Sequence, residues 1–331
     1  MKNVLIPEWI GEEGEKMLHG RVNVLRCDGV DELSLCAAVA EADGIVLRSR
    51  ARITEAVLKS APRLRVVSRT GVGIDNIDVE ACTRHGVMVC YLPGMNAYAV
   101  AEHAMALMLA LLKCLPAMDR AMRSIRGGGE GTGEGSGSGG GWDIRLKNLP
   151  QDTYGKVLGI LGLGRIGREV ADRARVFGMK TIGYDPYVKQ IDGVEWMEPD
   201  EVVASADVLT LHLPESEQTR RFMDGGRIAR MKPTAYLINT SRGGVVDQAA
   251  LARALKEGRI AGAALDVYED EPPAAGDALL ALDNVILTPH VAALTEQCGA
   301  AMMREAVWLL LAALDGEAVP PMYIANAAAF T

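Results

Sequence analysis

The stretch Lys156-Val-Leu-Gly-Ile-Leu-Gly-Leu-Gly-Arg-Ile-Gly-Arg-Glu-Val170, in the middle of the chain, leaves little choice of local structure. Val157–Leu161 reads as a short buried strand. Gly162, Gly164 and Gly167 follow in the spacing G-x-G-x-x-G, and Arg168–Phe177 reads as a helix. A second strand, Thr181–Tyr184, runs into Asp185, eighteen residues after Gly167. In such a unit Gly162 makes the tight turn, Gly164 lets a pyrophosphate approach the backbone, and Gly167 lets the helix pack closely. Asp185 supplies a carboxylate for ribose hydroxyls. The alternative is a glycine-rich turn that binds nothing. The strand, the helix and the acid together favour a nicotinamide dinucleotide site.

A chain of 331 residues, 49% hydrophobic and 24% charged, has material for two cores. A net charge of -8 argues against a nucleic-acid partner. It leaves room for a small anionic substrate held by one or two placed arginines. Six cysteines (Cys27, Cys36, Cys82, Cys90, Cys114 and Cys298) are scattered without C-x-x-C pairs, as expected of thiols in a reducing compartment. The apolar run at the N-terminus is too short for a signal peptide and reads as a first strand. Ala104–Leu112, the most apolar segment, is too short to span a bilayer. These features predict a cytoplasmic protein without a membrane partner.

The first hundred or so residues alternate strand-like and helix-like segments. Candidate strands are Val4–Pro7, Val22–Arg26, Gly44–Arg48, Arg65–Ser68 and Val87–Tyr91, with helices such as Asp31–Ala42 and Thr54–Ser60 between them. Ala97–Met122 reads as one long helix, either a core helix or an oligomer surface. Six further strands are expected at Val157–Leu161, Thr181–Tyr184, Val208–Leu211, Ala235–Asn239, Gly262–Leu265 and Val285–Leu287, and a closing helix at Glu296–Leu314. The fold class is therefore α/β: a doubly wound, Rossmann-type parallel sheet over 102–295, inserted into a smaller flavodoxin-like substrate domain made of 1–101 and 296–331. Two chain crossings imply a hinge and a cleft. Gly127–Gly141 has ten glycines in fifteen residues and fits neither domain. It reads as a flexible linker, engineered or otherwise atypical, with a natural insertion as the alternative.

Four stretches near strand ends carry groups suited to chemistry. Arg69-Thr-Gly-Val-Gly-Ile-Asp-Asn76 is a glycine-flanked turn whose N–H groups suit a carboxylate. Asn239-Thr-Ser-Arg-Gly-Gly244 places an arginine, a planar fork for carboxylates, at a strand end. Ala264-Leu-Asp-Val-Tyr-Glu-Asp-Glu-Pro-Pro273 is rich in acids, and Thr288-Pro-His-Val-Ala-Ala293 puts His290 just past a strand. Taken singly, these are a turn, a surface arginine, a solvated acidic loop and a structural histidine. Together, an arginine, a glutamate and a histidine on successive strand ends can converge over one nicotinamide ring. A carboxylate beside a histidine favours its charged form, a common acid/base device.

Several of these motifs resemble those of the D-isomer-specific 2-hydroxyacid dehydrogenases, in particular the D-3-phosphoglycerate dehydrogenase branch. They are Leu158–Gly167, Gly183-Tyr-Asp-Pro186, Ser241-Arg-Gly-Gly244, Gly262-Ala-Ala-Leu-Asp-Val267 with Glu271-Pro-Pro273, and Pro289-His290. The resemblance implies that Arg242 holds the substrate carboxylate and polarises its carbonyl. His290 would move the proton, with Glu271 paired to it because Glu271, unlike Glu269 or Asp270, directly precedes the two prolines. Val72 and Gly73 would offer backbone N–H groups to the carboxylate. Arg48, in Leu47-Arg-Ser-Arg50 at a strand end, would meet a phosphate or else belong to a surface arginine pair. Arg165 and Ile166 would contact the pyrophosphate, Asp185 the adenine-side ribose, and Pro214 and Thr219 the flank of the cofactor. Thr240, Ser241 and Asp266 would lie at the nicotinamide half, Asp266 at its carboxamide.

Asp185 followed by Pro186 implies NAD over NADP, since a carboxylate repels a 2′-phosphate. The implied activity is interconversion of a small D-2-hydroxy acid and its 2-keto acid, with 3-phosphoglycerate/3-phosphohydroxypyruvate as the leading pair. Hydroxypyruvate, glyoxylate, D-lactate-type and sulfolactate substrates remain open. From another class, an NAD(H)-sensing corepressor-like scaffold shares the fold. Family members are usually homodimers through the long-helix region. The chain departs from the family pattern in its glycine-rich segment and in having no long C-terminal regulatory extension.

Overall fold

The computed structural model describes residues 1–124 and 149–330; the glycine-rich Gly127–Gly141 segment lies outside them. Two compact units emerge, one made of Met1–Asn96 with Ala293–Thr331, the other of Ala97–Ala292. Both boundaries fall a few residues before those expected. The helix beginning at Ala97 packs along its length on strands of the second unit, so the whole helix belongs there.

In the first unit, β1 (Lys2–Ile6), β2 (Val22–Arg26), β3 (Gly44–Leu47), β4 (Val66–Arg69) and β5 (Met88–Cys90) form a parallel sheet in the order β2-β1-β3-β4-β5, the flavodoxin-like order. Alternation along the strands divides the core. Val4, Ile6, Val46 and Val66 meet α1 (Gly11–Leu18) and the closing helix, whereas Leu5, Ile45, Leu47 and Val67 meet α2 (Glu32–Ala38), α3 (Glu55–Lys59) and α4 (Val79–Arg84). Asp31, Thr54 and Asp78 cap α2, α3 and α4 by accepting a backbone N–H three residues on.

The second unit begins with α5 (Ala97–Leu112) and α6 (Leu115–Ser124). The single helix expected over 97–122 is broken: the axis bends by 60° and Cys114 adopts a left-handed φ of 52°. Pro116, which cannot donate to the turn before it, starts α6 cleanly but cannot continue α5. The sheet runs β12-β11-β10-β9-β6-β7-β8, all parallel, with β6 Val157–Leu161, β7 Lys180–Tyr184, β8 Glu195–Trp196, β9 Val208–Leu211, β10 Tyr236–Asn239, β11 Gly262–Leu265 and β12 Val285–Leu287. It has seven strands where six were expected; β8 is two residues long, too short to show a period of two. One face packs on α5 and α7 (Arg165–Val176), the other on α8 (Pro199–Ser205), α9 (Gly225–Arg230) and α10 (Gln248–Lys256).

The closing helix, α11 (Glu296–Asp315), and the bent α5–α6 pair are long and apolar enough to cross a membrane by composition, a property not anticipated for α11. In the structure Met303, Ala306 and Leu310 of α11 fill the first core, and Met105, Met108 and Leu112 of α5 the second.

Candidate active site

The strands of the second sheet stop in register. Leu161 lies opposite both Tyr184 and Leu211, Asn239 opposite both Leu211 and Leu265, and Leu265 opposite Leu287. One residue further along each strand comes a row at the carboxyl rim: Asp185, Gly162, His212, Thr240, Asp266 and Thr288. Ligands of doubly wound sheets bind outside these strand ends. Every member of the row except His212 and Thr288 is among the residues singled out in the sequence.

At Gly162 φ is +98°, and a Cβ would lie 2.6 Å from the His212 carbonyl oxygen. A Cβ on Gly167 would collide with the carbonyl of Gly162, whereas one on Gly164 would meet open space. The first and third glycines are thus required by packing, and the second keeps the approach to the backbone clear. The helix starts at Arg165, three residues earlier than expected, because extended Gly164 is its N-cap and Arg165–Gly167 form its first turn. Asp224 and Asp247 cap α9 and α10 with their side chains. Gly164, by contrast, brings no side-chain cap to the start of α7, and helix N-termini attract anions.

The Asp185 carboxylate accepts N–H bonds from Leu163 (2.9 Å), Tyr187 (2.8 Å) and Val188 (3.1 Å), and so ties the glycine turn to β7. A carboxylate has about four acceptor positions, so capacity remains for a ribose hydroxyl. Buried Thr240 Oγ1 and His212 Nδ1 have no hydrogen-bond partner among the described residues. Orphaned polar atoms on this rim, a clear approach at Gly164 and a helix start without a side-chain cap fit a bound dinucleotide. Thr219 Oγ1 donates to the Pro214 carbonyl at 2.6 Å and accepts the Ser216 N–H, closing the turn beyond His212.

The arginine motif is built from the strand outward. Asn239, 1% exposed, accepts the Ser241 N–H and hydroxyl on its Oδ1 and donates its Nδ2 to the Arg242 carbonyl. A Cβ on Gly243 would collide with the Tyr268 backbone and one on Gly244 with the Glu215 carboxylate. Gly243 is therefore a packing requirement of the turn that presents Arg242, whereas the exposed Glu215 side chain is free to swing away from a Cβ at 244. The Arg242 Nη1 donates to the Ser241 carbonyl at 2.7 Å.

Of the clustered acids, Glu269 pairs with Arg221, and Glu271 reaches His290, with Oε2 2.7 Å from Nδ1. Burial pushes the Glu271 carboxyl up. The His290 hydrogen bond and charge, the Tyr268 N–H and the Arg242 charge together outweigh it and hold the group below its ordinary value. Because a carboxylate only accepts, the imidazole Nδ1 carries the hydrogen. Nε2 is left as the edge that can exchange a proton.

Asp266, expected at the nicotinamide carboxamide, also holds the turn around His290. It is completely buried, and its carboxylate accepts the Thr288 hydroxyl (2.5 Å) and the Val291 and Ala292 N–H groups (2.9 Å each). Its carbonyl accepts the His290 N–H at 2.8 Å. These bonds bracket His290, whose φ of 54° is uncommon for a residue with a side chain.

In the first unit the residues past β3 and β4 were expected to meet the substrate. Arg48 Nη1 donates to the Trp9 carbonyl at 2.8 Å, and Asn76 Nδ2 holds the Arg48 carbonyl at 2.9 Å. Val72 and Gly73 are part-exposed, and the preceding turn is tied by Leu92 N–H to the Gly71 carbonyl. Buried Thr70 Oγ1 and Asn96 Oδ1 have no partner among the described residues.

Residues 105–292 match the family model described as D-isomer specific 2-hydroxyacid dehydrogenase, NAD binding domain. A D-3-phosphoglycerate dehydrogenase of Archaeoglobus fulgidus is 39% identical over 300 residues, covering 89% of this chain and 54% of the relative. The chain thus spans about half the length of such relatives. Among solved structures, D-lactate dehydrogenase from Aquifex aeolicus, complexed with NAD and lactic acid, aligns with a TM-score of 0.82 at 30% identity over 95% of this chain and 96% of that one. An NADPH-dependent glyoxylate/hydroxypyruvate reductase from Sinorhizobium meliloti aligns with a TM-score of 0.83 at 29% identity over 99% and 98%. By these likenesses the chain belongs to the D-isomer specific 2-hydroxyacid dehydrogenase family.

Proposed function

We propose that the protein is an NAD-dependent dehydrogenase that interconverts a small D-2-hydroxy acid and its 2-keto acid. The observation that carries this reading is the Glu271–His290 pair on the same rim as the dinucleotide-type glycine turn. When bound, NAD supplies or accepts the hydride at C4 of its nicotinamide. Arg242 fixes the substrate carboxylate and polarises the C2 carbonyl. His290 gives a proton from Nε2 to the carbonyl oxygen in reduction and takes it back in oxidation. Glu271 stabilises the imidazolium that donates this proton in reduction and is formed in oxidation. Arg165 and Ile166 hold the pyrophosphate, Asp185 the adenine-side ribose, Pro214 and Thr219 the cofactor's flank, and Thr240 and Ser241 the nicotinamide half. Val72 and Gly73 donate backbone N–H groups to the carboxylate, and Arg48 meets the distal substituent.

The names of the relatives favour 3-phosphohydroxypyruvate, hydroxypyruvate, glyoxylate and pyruvate as the keto acids to try. The negative net charge and the absence of basic clusters in the motifs fit a cytoplasmic enzyme without a nucleic-acid partner. Exposed Tyr98, Leu115 and Met122 on α5 and α6 suit a homodimer contact. The test is NADH and NADPH oxidation against those four keto acids. Turnover of at least one, with higher kcat/KM for NADH, is expected. Turnover of none overturns the reading, and a clear NADPH preference overturns the assignment of Asp185.

A further inference from the structure

α5 carries a histidine that the dehydrogenase reading leaves without a role. His103 Nε2 lies 3.2 Å from Thr288 Oγ1 and 3.6 Å from Asp266 Oδ1. The side chain of His103 is 22% exposed and that of Asp266 1%, so the contact lies beneath the rim. The directions of the bonds follow from the donor inventory. The Asp266 carboxylate accepts from two backbone N–H groups, which can only donate, and from the Thr288 hydroxyl. Thr288 has one hydroxyl hydrogen and gives it to Asp266. Toward His103 its oxygen must therefore accept, and Nε2 of His103 must carry a hydrogen.

A directed chain results: His103 Nε2–H to Thr288 Oγ1–H to the Asp266 carboxylate, which also holds the N–H groups of Val291 and Ala292. Successive bonds of this kind strengthen one another in a buried setting. The far end of the chain flanks His290, whose left-handed backbone needs support from its surroundings. Tyr268 adds a second hold, its hydroxyl donating to the Thr288 carbonyl at 2.9 Å.

We infer that His103 is a positioning residue for the proposed reaction: from the helix on one face of the sheet it fixes, through Thr288 and Asp266, the turn that aims the His290 imidazole. The inference rests on the assignment of His290 as the proton carrier. It predicts a loss in the chemical step, because a misaimed acid/base group lowers turnover while the cofactor's own contacts stay in place. A displacement on the order of 1 Å at a reacting group can cost about a hundredfold in rate.

The test combines turnover, NADH binding and amide exchange in the full-length protein. His103→Ala is expected to lower kcat by about tenfold to a hundredfold, with the NADH Kd changed less than about threefold. Val291 and Ala292 should lose hydrogen-exchange protection in that variant. His103→Gln, whose amide can put an N–H near the place of Nε2, should restore both. Thr288→Val should reproduce the Ala effect, and the double variant His103→Ala/Thr288→Val should be no worse than Thr288→Val alone. Gln and Val preserve side-chain volume, so these two variants decide the matter if the Ala variant does not fold. Unchanged kcat and protection in His103→Ala, a Gln variant as impaired as Ala, or losses that simply add would overturn the inference. If the wild type reduces no keto acid, the dehydrogenase reading fails separately, and exchange at Val291 and Ala292 still decides whether His103 holds the turn.

Discussion

The two parallel sheets are built alike at their amino edges and differently at their carboxyl rims. Asp43 immediately precedes β3 and accepts the N–H of Asn3 in the neighbouring β1 at 2.7 Å, and Arg63 binds the same carboxylate. Asp207 immediately precedes β9 and accepts the N–H of Val157 in the neighbouring β6 at 2.8 Å, with Lys232 as its cation. In each case the peptide of the acid also extends the ladder, Asp43 N–H to the Asn3 carbonyl and Asp207 N–H to the Val157 carbonyl. One device staples both sheets. At the other edge the second sheet ends in the Asp185-to-Thr288 row and the Glu271–His290 pair, while the first ends in Arg48, Thr70 and the Val72–Gly73 turn. On the proposed function, architecture shared at one edge and chemistry confined to the other mean that the amino edges serve stability and the rims serve ligands. Substitutions at the two edges should therefore fail in different ways.

The largest expected effect is at the rim. His290→Ala removes the proton-exchanging edge and should lower kcat by about a hundredfold to ten-thousandfold, the usual contribution of a general acid/base. NADH affinity, measured by fluorescence titration, should change little, and so should the melting temperature. Near-normal turnover would break the assignment of chemistry to this rim. A collapse in stability instead would erase the distinction between the edges.

How much of this was legible in the sequence depends on the range of the interactions involved. Strands of four or five apolar residues were found within one or two residues of their ends, because burial on both faces writes itself into a local run. The glycine turn, Arg242, Glu271 and His290 were likewise visible, since each sits in a local motif. β8 was invisible because two residues cannot display a pattern. The break at Cys114 was hidden by an alanine- and methionine-rich run that stays apolar across it. His103, His212 and Thr288 escaped for another reason. A histidine on an apolar helix, or one residue past a strand, looks like any core polar residue until the register places it. His212 illustrates this: burial pushes its imidazole down to about 3, so it is a neutral hydrogen-bonding ring, and nothing local in the sequence announces that. Thr288 stood two residues from His290 within a quoted motif, and its proximity was the one usable signal.

A smaller rim effect is expected at Asp185. Asp185→Ser removes the acceptor of the Leu163, Tyr187 and Val188 N–H groups and the charge that repels a 2′-phosphate. NADH should bind about tenfold more weakly, the value of one or two lost hydrogen bonds. NADPH should lose less or gain, so the ratio of kcat/KM for the two cofactors is the informative number. An unchanged ratio would show that discrimination lies elsewhere on the rim, and the comparison would lose one of its fixed points.

The smallest effect belongs to the amino edges, and its dependence on pH separates it from the others. For Asp207, burial raises the pKa of the carboxyl, but Lys232 and the Val157 N–H outweigh that, so it lies below its usual 3.8. For Asp43, burial likewise raises it, and the Asn3 N–H and Arg63 outweigh that. A depressed folded-state pKa means that the stabilisation is fully present above the unfolded value and is lost as pH falls through the folded value. Asp43→Asn and Asp207→Asn should each cost about 1–2 kcal/mol near neutrality, as expected for a hydrogen bond to a charged group. The gap in melting temperature from wild type should be constant down to about pH 5 and should close as the carboxylates protonate below that. kcat of either folded variant should stay within about twofold of wild type, since neither acid is near the rim. A gap that persists unchanged at the acid end would mean that the charge is not what staples these edges. A fall in kcat as large as that of His290→Ala would mean that the two edges are coupled, and that the likeness of the sheets at one edge and their difference at the other are not separate properties.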